Sequence, residues 1–420
     1  MEQAVIFRKR PDVSEVFTPR AQAPNSKTYI ARPDLEKRLS RSIKGSLHTL
    51  IHGESGSGKT WLYKKVLRDV DAHVSIVNCA NASLKGSILK EIDDAIFPNG
   101  KKKLTGYTEK TSAEVGAVVA KGTIDHNNSF QFSDGDTLQT AYAQLKKDSG
   151  SRNPILVFDN LEAIYSDKNL MRELANIILL LDDSRYAKFN IKFLLVGVPR
   201  DITTYFSKLE NMSSVGNRIE EIPEVDCLSS IQVKELLHKG LVTELKIDID
   251  TETEKKFSNH VFSVTLGIPQ RVQEYCEKLA YSIQDSNWVA SPSHLEDSDK
   301  QWLESGLKQA YQTIEGLMNE KETKAGRRNQ TLYTLTKITK NSFTVSEVED
   351  LLRQEFPTST EGIKLAIGQI LSELATQENT VIKRTAKGNG FQFTDARYLM
   401  CMRLMLRKNN FTEKISKIEI

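Results

Sequence analysis

Residues 47–70 read LHTLIHGESGSGKTWLYKKVLRDV. A short apolar strand, Leu47–His52, runs into Gly53-Glu54-Ser55-Gly56-Ser57-Gly58-Lys59-Thr60, and a helix is expected over Thr60–Val70. This is a complete GxxxxGK[ST] loop in the strand–loop–helix context that such a loop requires. Glycines let the backbone wrap a phosphate, so that successive N–H groups and the helix N-terminus face its negative charge. Lys59 has the reach for β- and γ-phosphates, and the Thr60 hydroxyl is a ligand for Mg²⁺. The stretch therefore predicts a site for ATP with Mg²⁺.

Working outward, four more apolar runs read as strands: His73–Cys79, Pro154–Phe158, Lys192–Val198 and Arg218–Val225. Helical spacing separates them at Leu84–Ile96, Leu138–Lys147 and Asn169–Leu181. Ahead of the loop, Leu35, Leu39 and Ile43 mark an amphipathic helix opened near Pro33 and Asp34. Continuous apolar strands alternating with helices predict an α/β fold with a buried, mainly parallel sheet. Asp159, at the tip of Ile155–Phe158, is the expected metal carboxylate. The next residue is Asn160, which cannot accept a proton, so a general base falls to Glu162 or to no residue here.

The rest of the chain divides by composition. Residues 1–26, with Pro11, Pro19 and Pro24, read as an extended N-terminal arm, and 27–228 as the α/β core. Residues 99–135, with the basic run Lys101–Lys103, interrupt the alternation and read as an insertion. Residues 229–320 are helical in pattern, with a polar connection at Asp285–Asp299. Residues 326–420 have their own layout: helices at Thr331–Ile338, Val345–Phe356 and Glu361–Ala375, then strands Val381–Arg384 and Phe391–Thr394 around a Gly-Asn-Gly turn. Three helices and a two-stranded wing describe a winged helix.

The 420 residues carry 58 Lys and Arg against 55 Asp and Glu, and 39% are hydrophobic, a composition typical of a globular protein. No apolar run approaches the ~20 residues that span a bilayer, and the first dozen residues lack the order of a signal peptide. No membrane partner is expected. Cys79, Cys227, Cys276 and Cys401 form no CxxC pair, which argues against a disulfide framework or zinc ribbon and for a reducing cytoplasm. No HExxH occurs, so metalloprotease chemistry is excluded by motif.

This order of elements resembles an AAA+-type P-loop ATPase of the group that contains origin-recognition ATPases and the signalling NTPases called STAND proteins. Tyr29-Ile30-Ala31-Arg32-Pro33-Asp34-Leu35-Glu36 is similar to that group's entry box, and the resemblance places Arg32 near the nucleotide, although Ala31 replaces the usual glycine. Val196–Arg200 sits where sensor 1 belongs, with Arg200 standing in for the usual polar residue. Val215–Arg218 resembles the arginine-finger region, and Gly267–Arg271 the sensor 2 motif, which implies Arg218 and Arg271 as phosphate-directed groups. A guanidinium suits these roles because it stays charged and binds phosphate bidentately. The resemblance also implies a helical lid over 229–320, a C-terminal winged helix, and assembly into a ring or filament in which hydrolysis depends on a neighbouring subunit.

Residues 325–420 hold fifteen Lys and Arg against ten Asp and Glu, an excess of five. Lys383, Arg384 and Lys387 fall on the expected wing, where basic groups meet phosphates in DNA-binding proteins of this shape. The leading expectation is a slowly hydrolysing ATPase that oligomerises with ATP and acts on, or is recruited to, DNA in replication, transposition or defence against mobile elements. The rival is a STAND-like scaffold whose winged helix docks an effector protein without touching DNA.

Overall fold

The computed structural model describes residues 10–98, 137–198, 213–319, 326–376, 380–386 and 388–420. The insertion expected at 99–135, with Lys101–Lys103, lies outside them, as do Arg200 and Lys387. The described residues divide into two units: 31–226 with 22–24, and 227–420 with 10–21 and 25–30.

The first unit is built on five parallel strands: β1 (His48–His52), β2 (His73–Asn78), β3 (Pro154–Asp159), β4 (Lys192–Val198) and β5 (Ile219–Glu221), in the order β2-β3-β4-β1-β5. Side chains alternate across each strand, and this alternation sorts the core into two layers. Ile155, Val157, Leu194 and Val196 meet helices Pro33–Lys44 and Lys59–Asp69 on one face. Leu156, Phe158, Phe193 and Leu195 meet helices Ile88–Ile96, Thr137–Ser149 and Lys168–Leu180 on the other. The α/β parallel-sheet core expected from the sequence is thus present. One expected helix is two: Cys79–Lys85 ends at Gly86, whose φ of +62° suits glycine, and Ser87 caps the helix from Ile88.

Between β1 and β4 the register slips: Ile51 pairs with Val196 and His52 with Val198, leaving Gly197 as an extra residue with φ +104°. Bulges of this kind bend a strand end and re-aim the groups beside it. This one lies beside Glu162.

The second unit is mainly helical: Ser230–Leu237 continued by a wide turn over His238–Glu244, then Thr251–Thr265, Pro269–Asp285, His294–Ser305 and Lys308–Leu317. The polar connection expected at Asp285–Asp299 is therefore helical from His294. Helices Arg327–Leu335, Val345–Glu355 and Ile367–Thr376 follow, with the antiparallel pair β6 (Ile382–Arg384) and β7 (Phe391–Phe393). A capping box joins Thr344 and Glu347. The third helix starts later than the expected Glu361, because Gly362 takes φ +64°. Helix Ala396–Met405 and a second hairpin, β8 (Leu406–Lys408) with β9 (Ile415–Lys417), complete the unit. One apolar cluster runs from Val13 through Leu279 and Trp302 to Met405, so residues 229–317 and 327–420 share a core.

The N-terminal segment departs from an extended arm. Val13, Val16 and Phe17, spaced i, i+3 and i+4, are buried around a one-turn helix that Asp12 caps. Gly240 leaves room for the Phe17 ring, which a Cβ at that position would overlap. Gln273 ties the segment down, accepting from the Thr18 N–H (3.1 Å) and donating to Thr28 Oγ1 (2.8 Å). Among the described residues no helix is long and apolar enough to cross a membrane.

Candidate functional site

Three glycines set the path of the loop after β1: Gly53, Gly56 and Gly58 have φ of +149°, +80° and +91°. At Gly53 a Cβ would stand 2.6 Å from the Val225 carbonyl oxygen and 3.1 Å from Ser57 Oγ, so only glycine fits. Gly58 then precedes helix Lys59–Asp69, whose first N–H groups face the loop without a capping side chain. Such open N–H groups at a helix start suit an anion. Glu54 and Ser55 form the exposed crest, and Thr60 is the second residue of the helix. Lys59 Nζ donates to the Gly53 and Glu54 carbonyls (2.8 and 2.7 Å). Burial lowers its pKa, opposed by the carboxylates of Glu162, Asp159, Glu54 and Glu224. Ser57 Oγ is buried with no hydrogen bond. A phosphate fits this cradle of free donors and missing side chains.

Arg32 borders the same loop: its Nη2 donates to the Ser57 carbonyl (3.0 Å), and its backbone N–H donates to Glu36 Oε1 (2.9 Å). The arginine expected near the nucleotide thus braces the loop backbone.

Asp159 ends β3 with both carboxylate oxygens in use. Oδ1 accepts from the Asn160 N–H and Oδ2 from the Tyr63 hydroxyl, each at 2.9 Å. Asn160 has φ +58°, a left-handed conformation that asparagine tolerates. Its side-chain amide donates to Asn78 Oδ1 at 3.3 Å, across the ends of β3 and β2. Asn160 is therefore a brace between strand ends, in keeping with its inability to take a proton.

Glu162 sits on the turn Leu161–Ala163. Burial raises its pKa, its own backbone N–H and the Lys59 charge lower it, and the Asp159 charge raises it. Its carboxylate occupies the space that a side chain at 197 would fill: a Cβ on Gly197 would overlap Oε2. The Glu162 carboxylate thus lies in the field of both Lys59 and Asp159.

The remaining arginines are engaged. Arg218 pairs with Asp182, its Nε at 2.5 Å, and Nη1 donates to the Ser214 carbonyl (2.6 Å). Asp182, just past the C-terminal end of helix Lys168–Leu180, is the carboxylate that holds it. Arg271 opens helix Pro269–Asp285 in the second unit and pairs with Glu274 (2.7 Å). On β6, Lys383 and Arg384 are exposed; Arg384 lies over the Phe391 ring (5.1 Å) and donates to Ser372 Oγ (3.0 Å).

Two contributors escaped the sequence. Tyr63 stands one helical turn after Lys59, so its face of the helix was legible, but its Asp159 partner is 96 residues away. Gly197 was read within a sensor stretch, with nothing to mark it as the seat of Glu162.

Residues 41–206 match the family model described as an AAA domain. Among solved structures, the chain is similar to the Walker-type ATPase PABY2304 of Pyrococcus abyssi, with 15% identity over 90% of this chain and 97% of that one and a TM-score of 0.49. It is also similar to the Aeropyrum pernix ORC2 protein in ADPNP–ADP complexes (12% identity, 93% of this chain, 97% of that chain, TM-score 0.48). A third similarity is to the Aeropyrum pernix ORC1 protein in complex with DNA (14%, 91%, 94%, TM-score 0.43). No curated protein matches.

Proposed function

With residues 41–206 an AAA domain, we propose that this protein binds ATP with Mg²⁺ and hydrolyses it slowly, in an assembly of copies recruited to DNA. The observation that carries the reading is the joint placement of the Gly53–Thr60 loop, Asp159 and Glu162 at the ends of adjacent strands β1, β3 and β4. Lys59 and the loop N–H groups would hold the phosphates, and Thr60 and Asp159 would hold the metal. Mg²⁺ supplies charge neutralisation on the phosphate oxygens. Glu162 would take the proton of the attacking water, and Arg32 would keep the loop in shape. With Asn160 where such ATPases usually carry a carboxylate, turnover by the isolated protein is expected below ~1 s⁻¹, the low end of enzyme rates.

Recruitment to DNA is supported by the exposed Lys383 and Arg384 on β6 and by the excess of five basic residues over 325–420. In this reading residues 326–420 act as a winged helix, with Lys387 adding to the wing. Arg218 would serve a neighbouring copy after leaving Asp182, and Arg271 would act from the lid.

The test is an equilibrium ATP titration of wild type and Lys59→Ala, with thermal melts to show that both fold. Tight binding by wild type and its loss in the variant are expected, because the variant lacks the loop's side-chain cation. Unchanged affinity would refute the site. Duplex binding at low salt with ATP present tests the DNA reading: a chain that binds ATP but no duplex is a protein-docking scaffold instead.

A further inference from the structure

Asp159 needs a fixed orientation if it is to hold a cation, and the residue after it supplies only part of that. The Asn160 N–H satisfies Oδ1 from within the same turn. Oδ2 is held from another element, by the hydroxyl of Tyr63 at 2.9 Å. Tyr63 is wholly buried, in the apolar cluster that also holds Leu39, Ile51, Val66, Val157 and Leu194 on this face of the sheet. A ring fixed on all sides delivers its hydroxyl to one point. Helix geometry fixes the rest: Lys59 and Tyr63, at i and i+4, share one face. A single helix thereby carries the phosphate lysine and the donor that aims the metal carboxylate.

We infer that Tyr63 is a positioning residue for the cation, setting the Asp159 carboxylate through its hydroxyl while touching neither nucleotide nor metal. The inference rests on the nucleotide reading above. Outer partners of a ligating carboxylate fix its orientation, and their loss typically costs about 10- to 100-fold in metal affinity. A phenol buried only for packing would also take a partner, but its removal would not act on the metal selectively. That difference is measurable.

The experiment is equilibrium binding of a fluorescent ATP analogue to the full chain, in EDTA and across a Mg²⁺ titration, for wild type, Tyr63→Phe, Asp159→Asn and the double variant. Tyr63→Phe keeps the ring and removes only the hydroxyl, and thermal melts report its folding. The expected result is unchanged affinity in EDTA and a Mg²⁺ half-saturation raised about tenfold or more. In the Asp159→Asn background, Tyr63→Phe should then shift the Mg²⁺ curve less than twofold, because the coupling runs through that carboxylate. An unmoved Mg²⁺ curve in folded Tyr63→Phe overturns the inference, as does an equal loss with and without Mg²⁺, which would make the hydroxyl a support of the loop. Wild type that binds the analogue in neither condition would defeat the nucleotide reading itself, an outcome separate from any effect of the variant.

Discussion

Gly197→Ala tests whether the bulge on β4 exists to seat Glu162. Glycine at this position has φ +104°, and an added methyl would overlap Glu162 Oε2 while standing 3.3 Å from the Leu161 N–H nitrogen. Two effects follow. Forcing an L side chain into that conformation costs on the order of 1–3 kcal/mol of stability, readable as a lowered urea midpoint. The carboxylate must also retreat by about 1 Å, a displacement that can cost about 100-fold in rate. Loss of the base altogether sets the ceiling, at about 10²–10⁴-fold. The loop, Lys59 and Asp159 are untouched, so ATP affinity should stay within about twofold of wild type. Single-turnover hydrolysis, read beside an equilibrium ATP titration, separates these quantities. The comparison with Glu162→Gln assigns the cause: if the methyl acts by displacing Glu162, Gly197→Ala adds nothing to the rate loss in the Glu162→Gln background. Wild-type turnover in folded Gly197→Ala would refute the argument, and so would a full additional loss in the double variant.

His48 should make the first unit sensitive to acid. Burial first, then the charges of Lys192 and Arg218, lower its pKa to about 4 against the opposing charge of Asp182, while its Nδ1 accepts from the Phe193 N–H (3.2 Å). The unfolded chain takes up this proton near pH 6.5, so stability falls as pH drops from 6.5 to about 4. His48→Asn, which keeps an acceptor, should flatten the urea midpoint over that window; an unchanged slope would clear His48. Separately, turnover per subunit should rise with protein concentration, and Arg218→Ala should abolish the rise without weakening ATP binding. A strictly monomeric ATP-bound protein in light scattering would rule that out.

The Gly53–Thr60 loop was legible because its chemistry is local: a phosphate cradle requires glycines, a lysine and a hydroxyl within eight consecutive residues. The strands were legible for a related reason. A parallel strand buried on both faces is apolar along its buried length, as Pro154–Phe158 and Phe193–Val198 are. Asp159 could be placed because it ends such a run. Burial of the N-terminal segment is not legible in the sequence because three apolar residues in one turn are too short a pattern to announce it; Val13, Val16 and Phe17 take their place from the apolar cluster of the second unit, with Phe17 against Gly240. Helix Ala396–Met405 shows no amphipathic stripe in the sequence, because Leu399, Met400, Cys401, Met402, Leu404 and Met405 are all buried, and hairpin β8–β9 has no glycine turn of the kind that marks β6 and β7. What the site does with its parts belongs to tertiary structure alone. Tyr63 reaches Asp159, Arg218 pairs with Asp182, and Glu162 lies on Gly197 because parallel strands bring together residues separated by whole helices. Sequence spacing encodes the periodicity of one element; the partner across the sheet is chosen by strand order and register, which no local pattern carries.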